Sequence, residues 1–230
     1  MCPNALRGGC PDGQEIKFYS SNFSHRIFTF HEEVTLFEPS QAPSSGDTRV
    51  TISGFGFTEA VVYACVWTSK RGSSFTAIAD MVNKNTLLCT ISDWGLTRSF
   101  GNASLIVTAE SESLAYSPGV SNLFNFYSIW TGITPTLGGA EGGTSISIFG
   151  FGFKNDSSYD CSFSSSEYEA LSTALVLNIS TLQCHSPQWP EHQGQVILNL
   201  YQDSMLVTST AANNQSFLFY HTWITANVST

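Results

Sequence analysis

A Gly-Phe-Gly-Phe tetrapeptide occurs twice in this sequence, at 54–57 and at 150–153, and the residues around each copy repeat with it. Glu-Pro-Ser (38–40), Gly46-Asp47-Thr48 and Val50-Thr51-Ile52 recur as Thr-Pro-Thr (134–136), Gly142-Gly143-Thr144 and Ile146-Ser147-Ile148. Pro39 and Pro135 lie 96 positions apart, as do Cys65 and Cys161; Cys89 returns after 95 as Cys184, and Asn125-Phe126-Tyr127 after 93 as Leu218-Phe219-Tyr220. A fixed period identifies the folding unit before any strand is assigned. The expected units are residues 34–128 and 129–223. Phe28-Thr29-Phe30 stands before Pro39 as Phe124-Asn125-Phe126 stands before Pro135, so residues 1–33 read as the C-terminal part of a preceding copy. Phe219-Tyr220-His221-Thr222-Trp223 echoes Phe126-Tyr127-Ser128-Ile129-Trp130, and residues 224–230 read as the start of a following segment or repeat. The sequence is expected to be a window from a longer array.

Within each unit the side chains alternate with the period of a strand that has one buried and one wet face. Val50 and Ile52, like Ile146 and Ile148, are spaced by Thr or Ser. Aliphatic runs at 104–107 and 195–198 and aromatic closures at 124–126 and 217–219 add further strands. Several short strands per hundred residues, separated by Gly, Pro, Asn and Ser, predict an all-β chain of two-sheet sandwiches. The Gly-Phe-Gly-Phe element reads as a strand entering a tight bend, with both Phe rings in the core. A phosphate-binding glycine loop would need a following helix start and a basic or acidic companion, and neither is present.

Cys65 and Cys89 stand 24 positions apart and Cys161 and Cys184 stand 23 apart, so each unit carries one similarly placed pair. An even total of six cysteines without a Cys-x-x-Cys pair suits disulfides in an oxidising compartment, and one bridge per unit is expected. Closing such a loop would stabilise a unit by about 3–4 kcal/mol. Four buried free thiols are the alternative. Cys2 and Cys10 have no evident partner within the repeat.

The ordered set of a proline near the start, Gly-Gly-Thr before an alternating strand, Gly-x-Gly-Phe at the bend, a cysteine on the next strand, Cys184-x-x-Pro187 and a closing Phe-x-Tyr-like strand resembles the IPT/TIG family. The likeness covers about residues 34–223. The family is an immunoglobulin-like fold shared by plexins, the hepatocyte growth factor receptor group and fibrocystin-like ectodomains. The resemblance therefore implies tandem immunoglobulin-like (IPT/TIG) β-sandwiches. The first copy departs from the pattern at Gly46-Asp47-Thr48 and at Cys89-Thr90-Ile91-Ser92, which lacks the proline.

Charge and surface motifs narrow the function. The chain has nine Lys plus Arg against eighteen Asp plus Glu, a net charge of -9, which repels a phosphate backbone and argues against a nucleic-acid partner. No apolar run is long enough to span a bilayer, and residues 1–20 lack the apolar core of a signal peptide, so no membrane insertion is expected from this segment. Asn-x-Ser/Thr sequons stand at Asn22, Asn102, Asn155, Asn178, Asn214 and Asn227, against about three expected by chance, and point to N-linked glycans. His25, His31, His185, His192 and His221 show no metal-binding spacing, and Asp156, Asp160, Glu32 and Glu33 form no dense calcium loop. No catalytic residue, metal or cofactor is expected. Of the five tryptophans, Trp130 and Trp223 suggest packing at unit junctions. Trp94 and Trp189, each five residues after the second cysteine of its unit, are the candidate binding contacts, set in a loop at one end of the sandwich.

The expected function is a non-enzymatic extracellular or cell-surface rod for adhesion, matrix or filament building, with other protein modules or copies of itself as partners. A ligand-binding receptor ectodomain and accessory domains of a secreted carbohydrate-active enzyme are the alternatives. Only about nine residues separate the closing Phe-x-Phe of one unit from the proline of the next, too few for a flexible linker.

Overall fold

In a computed structural model of the chain, which describes residues 16–18, 26–28, 31–92, 94–190, 193–210 and 215–221, nearly all regular structure is β. Strands β1 (Ile16–Phe18) and β2 (Arg26–Phe28) pair antiparallel, with Ile16 opposite Phe28. The rest of the expected earlier copy up to Phe30 lies outside the described residues. The chain divides into two compact units. One takes residues up to Gln41 with Thr48–Ile91 and Asn102–Phe124; the other takes Ala42–Asp47, Ser92–Gly101 and the chain from Asn125 onward.

The first repeat runs β3 (Glu33–Glu38), β4 (Gln41–Pro43), β5 (Gly46–Phe55), β6 (Tyr63–Ser69), β7 (Ser74–Ile78), β8 (Asp80–Asn83), β9 (Thr86–Ser92) and a one-turn helix α1 (Trp94–Thr97). It closes with β10 (Gly101–Ala109), β11 (Glu112–Ser113), β12 (Ala115–Tyr116) and β13 (Leu123–Tyr127). One sheet has the order β4-β13-β10-β6-β7 with β11 on β10, and the other β12-β3-β5-β9-β8. The second repeat runs β14 (Ile129–Thr134), β15 (Leu137–Gly139), β16 (Ser145–Phe151), β17 (Tyr159–Ser164) and β18 (Glu169–Asn178). It closes with β19 (Thr181–His185), β20 (Gly194–Gln202), β21 (Met205–Leu206), β22 (Thr208–Ser209) and β23 (Ser216–Tyr220). Its order, β15-β23-β20-β17-β18-β19-β16-β14-β22, is that of the first repeat with one change. Where β7 and β8 are separate strands on either side of Ala79, β18 is continuous, pairing with β17 over Glu169–Ala174 and then with β19 over Leu175–Asn178.

The expected alternation is observed. Val50 and Ile52 on β5, and Ile146 and Ile148 on β16, are fully buried, while Thr51 between the first two is exposed. In the first repeat Phe124 lies 6.3 Å from Phe37 and 6.0 Å, edge to face, from Trp67. In the second, Phe163 meets Phe217 at 5.6 Å, the counterpart of the Trp67–Phe124 contact, and also Phe219 at 5.9 Å. Cys65 on β6 is bonded to Cys89 on β9, and Cys161 on β17 to Cys184 on β19, with Cα atoms 6.2 and 6.6 Å apart. In the first repeat the bridge joins a strand of one sheet to a strand of the other, and in the second it joins the two strands that flank β18 in the continuous sheet. All four cysteines are fully buried, so each bridge adds apolar contact as well as loop closure.

The Gly-Phe-Gly-Phe bend uses its four residues differently. A Cβ on Gly54 would collide with the Glu33 carbonyl oxygen and the tip of the Phe57 ring, and one on Gly150 with the Ile129 carbonyl oxygen and the Phe153 ring. The first glycine therefore permits close approach of a neighbouring strand and of a ring folded back over it. The second supplies positive φ, 83° at Gly56 and 79° at Gly152. Only the second phenylalanine enters the core: Phe57 is 2% exposed but Phe55 60%, which corrects the expectation that both rings are buried. The reason is strand pleat, since Phe55 is the outward residue after inward Gly54. Phe57→Ala is expected to cost about 3–5 kcal/mol in denaturant unfolding and Phe55→Ala less than about 1 kcal/mol. Equal losses would contradict this assignment.

Candidate functional site

The two tryptophans expected to contact a partner are core residues. Trp94 opens α1, is 1% exposed, and lies flat on Phe126 with ring centroids 3.8 Å apart and planes 5° apart. Its Nε1–H donates to the Ser99 carbonyl at 3.3 Å, and the Arg98 guanidinium sits 5.1 Å from its ring centroid. Trp189 is 3% exposed, stacked on Phe219 at 4.8 Å and 6°, with Tyr168 against it edge to face at 5.0 Å. A loop position after the second cysteine suggested exposure, but the loop folds the ring under the sandwich end, where stacking and apolar burial outweigh hydration. Trp94 and Trp189 thus offer no open ring face to a ligand. Trp130, expected at a junction, is 1% exposed and belongs to the second repeat's core, while Trp223 lies outside the described residues.

What the bends do present is a pair of buried tyrosines that the motifs did not single out. Tyr63 Oη accepts the Thr58 N–H at 3.1 Å, and Tyr159 Oη accepts the Lys154 N–H at 3.1 Å, so each phenol pins the loop that follows its bend. Burial pushes both phenols up, Tyr159 to about 12. The signal was in the sequence: each tyrosine stands two residues before a repeat-paired cysteine.

Three sequons fall on described residues, and all three asparagines are exposed: Asn102 on β10, Asn155 in the loop after the second bend, and Asn178 at the end of β18. Asn22, Asn214 and Asn227 lie outside the described residues, as do Cys2, Cys10, His25 and His192. Around Asn155, Lys154 pairs with Asp156 at 2.9 Å, and Asp203 Oδ1 accepts the Ser158 N–H at 2.9 Å and its hydroxyl at 3.2 Å. Asp203 and Ser204 form the two-residue turn between β20 and β21, both at positive φ. The Ser158 N–H, reinforced by hydroxyls of Ser157 and Ser158 and by Gln202, holds the Asp203 carboxyl below its ordinary value.

The other carboxylates named from sequence have partners inside the chain. Glu32 accepts the Tyr63 hydroxyl at 3.3 Å, Glu33 the Ser117 hydroxyl at 2.6 Å and Asp160 the Thr173 hydroxyl at 3.2 Å. Among the described residues no group of three or more His, Cys, Asp or Glu is placed to hold a metal ion, and no helix is long and apolar enough to cross a membrane. His31, His185 and His221 are exposed.

The IPT/TIG domain model matches residues 33–122 and again 128–219. The chain belongs to the IPT/TIG family. Its domains are generally non-catalytic, immunoglobulin-like modules, and the strand order and paired disulfides above are how this IPT/TIG chain builds them. No curated protein matches the sequence. Among solved structures, the full extracellular region of plexin A4, domains 1 to 10, is 16% identical, over 84% of this chain and 16% of that one, with a TM-score of 0.35. A tetra-tandem repeat from the extending region of a large adhesion protein is 13% identical over 81% of this chain and 48% of that one, with a TM-score of 0.34. InvD of Yersinia pseudotuberculosis is 11% identical over 86% and 60%, with a TM-score of 0.31. The chain spans less than two thirds of each of these three.

Two outcomes follow for the second IPT/TIG repeat. Trp189→Ala is expected to destabilise it by about 3–5 kcal/mol, the loss of a buried aromatic, read by thermal or denaturant unfolding. A depressed folded-state pKa at Asp203 means that its carboxylate adds stability above the unfolded-state pKa, and that this is lost as pH falls through the folded one. Melting curves of wild type and Asp203→Asn should therefore differ at neutral pH and converge on acidification below about pH 4. A difference that grows in acid would contradict the assignment.

Proposed function

We propose that this segment is a non-catalytic extracellular rod, a stretch of IPT/TIG modules that spaces and stiffens a cell-surface, matrix or filament assembly through contacts with other modules or copies of itself. Residues 34–128 and 129–223 are the two modules in this reading, with 1–33 the tail of a preceding one. The observation that carries it is the junction: β13 ends at Tyr127 and β14 begins at Ile129, so one residue, Ser128, stands between consecutive strands. A linker of one residue has no coil behaviour of its own, unlike the Gly/Ser-rich segments that let domains hinge freely. The two buried cystines favour an oxidising compartment, and the exposed Asn102, Asn155 and Asn178 are available there as glycan acceptors. The net charge of -9 disfavours nucleic acid.

Small-angle scattering of the wild-type chain and of a variant with a Gly-Ser insertion of about ten residues between Tyr127 and Ser128 tests the rod. The wild type is expected to give the profile of one stiff particle, with flexibility appearing only on insertion. A wild-type profile already that of freely hinged modules would contradict the proposal.

A further inference from the structure

Strand β18 is the longest edge in the second repeat and the least protected. Among the described residues Glu169–Ala174 pair only with β17, and Leu175, Val176 and Asn178 only with β19, so β18 has a partner strand along one side and none along the other. Its outward positions are Glu169, Leu171, Thr173, Leu175 and Leu177, and the three leucines are 64%, 63% and 50% exposed. No Asp, Glu, Lys or Arg occurs from Ala170 to Pro190. Beyond Glu169 at its start the edge is exposed, largely apolar and uncharged, a template for pairing with another chain.

The first repeat meets the same hazard differently. There the edge breaks at Ala79, the matching outward positions hold Thr76, Ile78, Asp80 and Val82, and Lys84 follows in the turn, so charge interrupts the row. Its turn Asn83-Lys84-Asn85 has the Asn85 N–H donating to Asn83 Oδ1 at 2.9 Å, while the Asn85 side-chain amide donates to the Gly54 carbonyl at 2.9 Å. The matching turn of the second repeat is Asn178-Ile179-Ser180. Asn178 Oδ1 accepts both the Ser180 N–H at 2.8 Å and the Ser180 hydroxyl at 2.9 Å, and nothing among the described residues accepts from its Nδ2. Loss of the charge at position 175 and gain of a hydroxyl at 180 thus occur on the same edge.

We propose that Asn178 is an N-glycan acceptor whose oligosaccharide covers the unpaired leucine edge of β18, replacing by a solvated cover the charge that Asp80 supplies in the first repeat. The proposal rests on the extracellular reading above. In the transfer, Asn178 Nδ2 bonds to the anomeric carbon of a lipid-diphosphate-linked oligosaccharide. The carbon–oxygen bond to phosphate breaks, the lipid diphosphate departs with the bonding pair, and the amide proton passes to a base of the transferase. The free Nδ2 and the exposed end of the strand leave room for the product.

The test is to secrete the 230-residue chain from mammalian cells behind an added signal peptide and to analyse glycopeptides and sedimentation velocity. Glycan on most of the Asn178 peptide is expected, lost in Ser180→Ala and kept in Ser180→Thr. The unglycosylated Ser180→Ala protein should self-associate several-fold more than wild type, and Leu175→Asp in the same chain should restore the monomer. An unoccupied Asn178 in a chain that is secreted with both disulfides formed overturns the acceptor assignment alone, and a Ser180→Ala chain as monomeric as wild type overturns the covering role. A chain retained with reduced cysteines would instead contradict the extracellular reading.

Discussion

Each repeat depends on one close approach of backbone to backbone at its Gly-Phe-Gly-Phe bend. Gly54 and Gly150 lie so near the adjacent strand and their own following phenylalanine that no side chain fits, and their N–H groups donate to the Asn85 and Ser180 carbonyls at 2.9 Å. The amides of Phe57 and Phe153 donate to Lys84 at 3.2 Å and Ile179 at 2.9 Å. These bonds tie the bend to the turn before β9 or β19, the strands that carry the second cysteine. With Tyr63 and Tyr159 pinning the loops beyond, the bend fixes where the inner sheet faces start. At the bends themselves these backbone groups are hydrogen-bonded, so their burial leaves no unmade bond there.

The two repeats run the same design on different side chains, and the differences are informative. Trp67 occupies the place that Phe163 takes in the second copy; the larger ring meets Phe75 at 5.8 Å as well as Phe124, while its Nε1 is buried without a hydrogen-bond partner. The first repeat thus gains aromatic area at the cost of one unsatisfied donor. The edge strands differ too, with β7 and β8 broken and Asp80 in mid-row where β18 is continuous and uncharged after Glu169.

Much of this was legible in the sequence. The 96-residue spacing of Pro39 and Pro135, the paired cysteines and the alternation at Val50–Ile52 and Ile146–Ile148 report quantities that strand geometry and disulfide reach constrain directly. Which ring of each bend is buried was not legible, because burial turns on the pleat at Phe55 and Phe57, one residue either side of a positive-φ glycine. The roles of Trp94 and Trp189 were missed for a related reason: position in a loop says nothing about whether the loop folds back over the core. The bends are framework, and the surface features argued above for function are strand edges and sequon asparagines.

Native-state hydrogen exchange of the Gly54, Phe57, Gly150 and Phe153 amides tests the central role of the bends most directly. The account predicts that these four amides exchange as slowly as those of Ile52 and Ile148, through global unfolding of their own repeat. Exchange through local opening at much lower free energy, while the strands stay protected, would contradict it.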